Sequence, residues 1–157
     1  MADVYIIGSY STRFQKWPDK SFKDLTREAY LGVLGDSGLE NGDDIEIVYF
    51  GNCGLGTFGQ PCIRGQVCFT PLVQEGLFPE RVPTVNVEDA CATSSVAMNG
   101  AWKDILSGQS HVAIAMGVEK TYVPDDPAAT MALFAGGIDQ LDPEEWQAHY
   151  REQGEIM

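Results

Sequence analysis

Residues 87–120 read VEDACATSSVAMNGAWKDILSGQSHVAIAMGVEK, and they carry a strand end, a tight turn, a helix, a glycine stop and a second strand. Val82 to Val87 is a short apolar run of the kind that is buried in a sheet. From Cys91 to Ser107 the residues Ala92, Val96, Ala97, Ala101, Ile105 and Leu106 recur at helical spacing, which predicts the best helix of the chain. Gly108 stands where a left-handed residue ends a helix. His111 to Gly117 is the next apolar run. Strand, helix and strand in this order make a βαβ unit, whose two strands run parallel.

The same alternation continues toward the N-terminus. Val4 to Gly8 predicts a first strand. Ser21 opens a helix, with Asp24 three residues on as its capping-box partner. Phe22, Leu25, Ala29, Val33 and Leu34 form that helix's apolar stripe, and Gly38 closes it. Ile45 to Phe50 is a second strand, almost unbroken in apolar character and therefore covered on both faces. A glycine-rich loop, Gly51 to Gly59, follows. Pro61 then opens a helical stretch that Pro71 must end or kink. The expectation is an α/β layered fold, β-α-β-α-β-α-β, over residues 1–120. From 121 to 157 the character changes. Val123 to Gly137 has two prolines and no strand alternation and reads as a loop, and Asp142-Pro143-Glu144-Glu145 starts a fresh helix.

Composition narrows the function. The 157 residues are 44% hydrophobic and 21% charged, ordinary for a globular domain. Net charge is −13, from 23 acidic against 10 basic residues, which disfavours binding to a phosphate polymer. No apolar run approaches a membrane span, and the first residues carry no secretory signal, so the expected location is cytoplasmic. Cys53, Cys62, Cys68 and Cys91 contain no CxxC pair and lack zinc-site spacing, so neither a metal site nor disulfides are expected.

The chemistry centres on Cys91. A turn from a buried strand into a long helix places it at or just before the helix N-terminus, where free amides and the helix dipole favour a thiolate. Its own N–H can face a developing oxyanion. The competing reading is a buried structural cysteine beside a cap. Gly54-Leu55-Gly56-Thr57-Phe58-Gly59 is a literal GxGxxG after a strand, which keeps a dinucleotide-binding domain open. Against it, the acidic pair Glu88-Asp89 lies about 30 residues on, and Pro61, Pro71 and Pro79 interrupt the crossover. A glycine-rich connection beside an active site explains the loop as well. His111 reads as a surface or structural histidine, and Lys16 to Lys20 as a solvated loop.

The run 87–120 resembles the segment around the acyl-accepting cysteine of thiolases, with its helix ending in Ser-Gly and its strand ending in Gly117-Val118-Glu119. IIGSYST at 6–12, SFKDLTREAYLGVLGDSGL at 21–39, IEIVYFGN at 45–52 and Gly59-Gln60-Pro61-Cys62-Ile63-Arg64 are similar to the thiolase start, especially in sterol-carrier-like and archaeal-type members. The resemblance covers about residues 3–120. It implies the N-terminal half of the thiolase layered fold, followed at 121–157 by the start of a covering loop region. It also implies Cys91 as the catalytic nucleophile, and acyl transfer between CoA thioesters in lipid metabolism, by 3-ketoacyl-CoA thiolysis or by condensation. No cofactor is implied beyond CoA thioesters as substrates, and with so few cations here most CoA contacts would come from residues outside this chain. The Gly-His-Pro and Cys-Gly-x-Gly motifs of the thiolase second half do not occur, so the resemblance implies a homo-oligomer or a companion chain that supplies them. A zinc-ribbon and OB-fold partner is a further implication. A ketoacyl-synthase-like enzyme acting on acyl-carrier-protein substrates, and a non-catalytic subunit, remain alternatives.

Overall fold

The computed structural model describes residues 3–154, and the chain divides into two compact units, one ending at Lys120 and one starting at Thr121. The first unit is a three-stranded parallel sheet in the order β2-β1-β3, with β1 at Ile47–Gly51, β2 at Thr84–Val87 and β3 at Ala113–Gly117. Val48 stands opposite both Thr84 and Ile114, and Gly51 opposite both Val87 and Gly117, so all three strands finish at one level.

Alternation along β1 explains the layers. Val48 and Phe50 are fully buried toward helices α1 (Phe22–Ser37) and α2 (Arg64–Gln74). The Phe50 ring meets Phe69 of α2, and Phe69 in turn meets Tyr30 of α1 and Phe78. Tyr49 points the other way, against Gly100 of helix α3 (Thr93–Ser107), with its hydroxyl donating to Asp104 at 2.9 Å. Helices therefore cover both faces of β1, as its continuous apolar character required. The core's least expected member is Tyr30. It is fully buried, donates to the Leu77 carbonyl at 2.8 Å, and has its pKa pushed up to about 12 by burial.

The capping box at Ser21 is complete. Asp24 N–H donates to Ser21 Oγ at 3.1 Å, while Ser21 N–H donates back to the Asp24 carboxylate at 2.8 Å. The hydrogen bonds from Ser21, its side chain's first, hold the Asp24 carboxyl below its ordinary value. A depressed carboxyl stabilises the fold above its unfolded pKa, and the contribution disappears as pH falls through the folded one. Ser21→Ala is therefore expected to cost about 1 kcal/mol at neutral pH, a gap that narrows below about pH 4. Urea midpoints of both proteins over a pH series measure it, and a pH-independent gap would contradict the linkage.

Three sequence expectations need correction. Val4 to Gly8 is not a strand. That segment lines an apolar cleft of about 330 Å³ together with Val112–Ala115, and no ladder joins it to β3. Without a neighbour to take its N–H and C=O groups, an extended segment makes no sheet. The helix expected from Pro61 starts only at Arg64, because Ile63 adopts a left-handed φ of 46° as its N-cap. Pro71 lies inside that helix, with its carbonyl still accepting from Glu75 at 3.0 Å and one amide donor lost. The third correction lies in the second unit, where Pro127–Ala135 is a helix, α4, rather than loop. Asp126 caps it by accepting from Ala129 N–H at 2.9 Å, and Pro127 fills a first-turn position that needs no donor. Helix α5, Pro143–Glu152, starts as expected, with Glu144 and Glu145 in its first turn. No helix among the described residues is long and apolar enough to cross a membrane.

Candidate active site at the carboxyl ends of the strands

In a parallel α/β sheet the loops leaving the carboxyl ends of the strands form the natural site. Here three such loops meet. β1 runs into Asn52-Cys53-Gly54, β2 into Glu88-Asp89-Ala90-Cys91, and β3 into Val118-Glu119. The strand order puts Cys53 in the middle, between the turn that carries Cys91 and Glu119.

Cys91 lies in a single 3-10 turn, Ala90–Ala92, directly before α3. The turn is built by short local bonds. Ala92 N–H donates to the Asp89 carbonyl at 2.8 Å, and Ala90 N–H to the Glu88 carboxylate at 2.6 Å. Thr93 holds it from inside. Its hydroxyl accepts from Asp89 N–H at 2.8 Å and donates to the Ala90 carbonyl at 2.7 Å. Its methyl fills the space above Gly51, where a Cβ would stand 2.8 Å from it. Ala90 takes a left-handed φ of 43°, costly for a residue other than glycine. That backbone strain sits one residue before an exposed cysteine.

Cys53 and Glu119 are functional candidates that the sequence reading did not assign. The Cys53 thiol donates to the Ala90 carbonyl at 3.2 Å and lies 3.1 Å from the Thr93 hydroxyl. Burial pushes its pKa up, with smaller upward contributions from Glu119 and Glu88. Glu119 works as a clamp. One carboxylate oxygen accepts from Cys53 N–H at 2.9 Å and Gly54 N–H at 3.1 Å, and the other accepts from Asn52 Nδ2 at 3.2 Å. Asn52 is buried and also donates to the Val118 carbonyl at 2.7 Å while accepting from Leu55 N–H at 2.9 Å. The Arg64 guanidinium donates to the Asn52 carbonyl. The only sequence signal was position: Asn52-Cys53 and Glu119 follow apolar runs directly.

The other residues singled out above fall elsewhere. The glycine-rich loop coils into a 3-10 turn, Gly54–Phe58, and does not lead straight into a helix. The amides at its entrance, which in a dinucleotide-binding loop would face phosphate, are taken by the Glu119 carboxylate. His111 lies just ahead of β3, at the opposite end of the sheet from Cys91, exposed and with its N–H on Glu46. Cys68 is buried, and Cys62 is exposed in the loop before α2.

Comparison with known proteins adds to this geometry. A family model described as thiolase, N-terminal domain, matches residues 4–134. An acetyl-CoA acetyltransferase of Methanothermobacter thermautotrophicus is 34% identical over 150 residues, covering 94% of this chain and 35% of the relative. One of Methanocaldococcus jannaschii is 34% identical over 148 residues, covering 94% and 34%. The benzoylsuccinyl-CoA thiolase subunit BbsB of Thauera aromatica is 33% identical over 116 residues, covering 74% and 28%. The chain thus spans about a third of the length of these relatives.

Proposed function

The chain belongs to the thiolase family, matching its N-terminal domain, and on that premise we propose that it is the nucleophile-bearing part of an enzyme that moves acyl groups between CoA thioesters. The observation that carries the reading is Cys91. It is exposed in a strained turn at the carboxyl end of β2, immediately before the longest helix on that face of the sheet. Attack by its sulfur on the 3-keto carbon of a 3-ketoacyl-CoA breaks the bond between C2 and C3. The electron pair passes to C2, which takes a proton and leaves with C1 as acetyl-CoA, so that the shortened acyl chain stays on the sulfur. The acyl group on Cys91 is then passed to the thiol of a second CoA. Condensation is the same sequence reversed.

Two features make the turn suited to this. The amides at the start of a helix lack intrahelical partners and favour developing negative charge, and alanines on both sides of Cys91 leave room for a thioester. A base and an acid remain to be supplied, and in this reading a companion portion carrying Gly-His-Pro and Cys-Gly-x-Gly motifs provides them. A dimeric assembly, a zinc-ribbon and OB-fold partner, and a cytoplasmic setting belong to the same proposal.

Thiol reactivity tests it directly. Iodoacetamide at near-neutral pH is expected to label Cys91 first. Cys68 is shut away, and Cys53, though exposed, is held as a thiol by desolvation around its sulfur and by its bonds to the turn. Cys62, exposed one residue before the N-cap of α2, is the competitor for the label and is expected to react after Cys91. Peptide mapping after brief labelling reads the order, and a folded sample in which Cys91 labels last would overturn the assignment.

A further inference from the structure

Cys53 has no part in the acyl transfer just described, yet its sulfur is held against the nucleophile's own turn. Contacts to Ala90 on one side of Cys91 and to Thr93 on the other bracket that residue. The distance can be bounded. The Cys53 sulfur is 3.2 Å from the Ala90 carbonyl oxygen. By standard backbone dimensions that oxygen lies about 2.8 Å from the next Cα, so the Cys53 sulfur is within about 6 Å of the Cys91 Cα. A cysteine sulfur reaches about 2.8 Å from its own Cα. A disulfide holds its sulfurs about 2 Å apart, and the bond forms where the Cys91 side chain turns to this side of its Cα. Both side chains are exposed, so an oxidant can reach them.

Resting on the reading of Cys91 as nucleophile, we propose that Cys53 is its resolving thiol, and that a hydroperoxide converts the pair to a Cys53–Cys91 disulfide. The Cys91 thiolate attacks one peroxide oxygen, the O–O bond breaks, and the peroxide leaves as hydroxide or alkoxide. The sulfur, oxidised by two electrons, is now a sulfenic acid. The Cys53 sulfur then attacks it, the S–O bond breaks, and the departing hydroxide takes the Cys53 proton as water. Two thiols and one peroxide thus give one disulfide, with the peroxide oxygens carried off as water, or as water and an alcohol. The disulfide silences acyl transfer, but a dithiol reductant restores it. A sulfenic acid left unresolved is exposed to further oxidation to sulfinic and sulfonic acids, which such a reductant does not reverse. The raised pKa of Cys53 suits the role, because it keeps this sulfur protonated and spares it from the first oxidation.

The test treats the folded chain with equimolar hydrogen peroxide and maps its peptides without reduction. The expected product is a Cys53 peptide joined to a Cys91 peptide, lighter by about 2 Da than the two apart and separated by dithiothreitol. In the untreated chain Cys91 alkylates fully, and after peroxide and dithiothreitol it is expected to do so again. In Cys53→Ser and Cys53→Ala, both checked for folding by circular dichroism, that recovery is expected to fall at least ten-fold, as Cys91 gains two or three oxygens. A Cys91 that links to Cys62 instead, or is over-oxidised in the unsubstituted chain, or recovers equally in both variants, overturns the proposal. If Cys91 alkylates readily before treatment and still forms no link, only this inference fails. If Cys91 resists alkylation from the start, the nucleophile reading fails with it.

Discussion

Purified alone, the 157-residue chain is expected to thiolyse acetoacetyl-CoA no faster than background. Acyl transfer through a cysteine needs a base for its proton, an acid at the carbon that departs, and donors for the oxyanion. Two carboxylates at this end of the sheet are already committed. Glu88 accepts the Ala90 amide, and Glu119 accepts from Cys53, Gly54 and Asn52. His111 stands at the other end of the sheet. Lost general acid–base catalysis is worth about 10² to 10⁴ in rate, and one lost oxyanion donor a further factor of about 10² to 10³. With the acid and base missing and only the turn's own amides as donors, the nucleophile has little left to act with. The assay follows CoA consumption by the monodisperse chain, with Cys91→Ala as control. Robust turnover lost in the control would show that these residues already assemble the acid and base.

Phe69→Ala is expected to lower stability by about 3–5 kcal/mol, read as a large fall in the denaturant midpoint of unfolding. Phe69 is buried and touches three other rings, those of Tyr30, Phe50 and Phe78. It is the point where α1, α2 and β1 meet. Truncating a buried phenylalanine costs about 3–5 kcal/mol, and the ring pairs add specific contacts beyond area. A domain of this size has only about 5–15 kcal/mol to lose. Phe58→Ala is the control. That ring also pairs with an aromatic, Phe22, but is 43% exposed, and its loss is expected to cost about 1 kcal/mol or less. Equal effects from the two substitutions would mean that Phe69 does not anchor the layers.

Much of this was legible because it is written locally. Ser21, Asp24 and Gly38 fix both ends of α1 within one stretch of chain, and the run from Ala92 to Leu106 declares α3 by spacing alone. What escaped reading depends on distant partners. Val4 to Gly8 has the composition of a strand, but composition says nothing of whether a neighbour lies within hydrogen-bond reach. Helix α4 was hidden by judging Asp126-Pro127 as a loop signal when the same pair is also a cap and a first-turn proline. The site divided in the same way. Cys91 could be named from the turn around it, whereas Cys53, Thr93 and Glu119 come together only because three strands finish side by side.

The strand order has a kinetic consequence. β1 is the central strand of the sheet and also the first of the three to leave the ribosome, and its partners β2 and β3 follow roughly 36 and 66 residues later. Until they arrive, Val48 and Phe50 have only α1 and then α2 to shelter them, and both edges of β1 stay open. Folding must therefore close long loops before it gains any ladder, which makes the nascent chain slow to settle and dependent on protection while it waits.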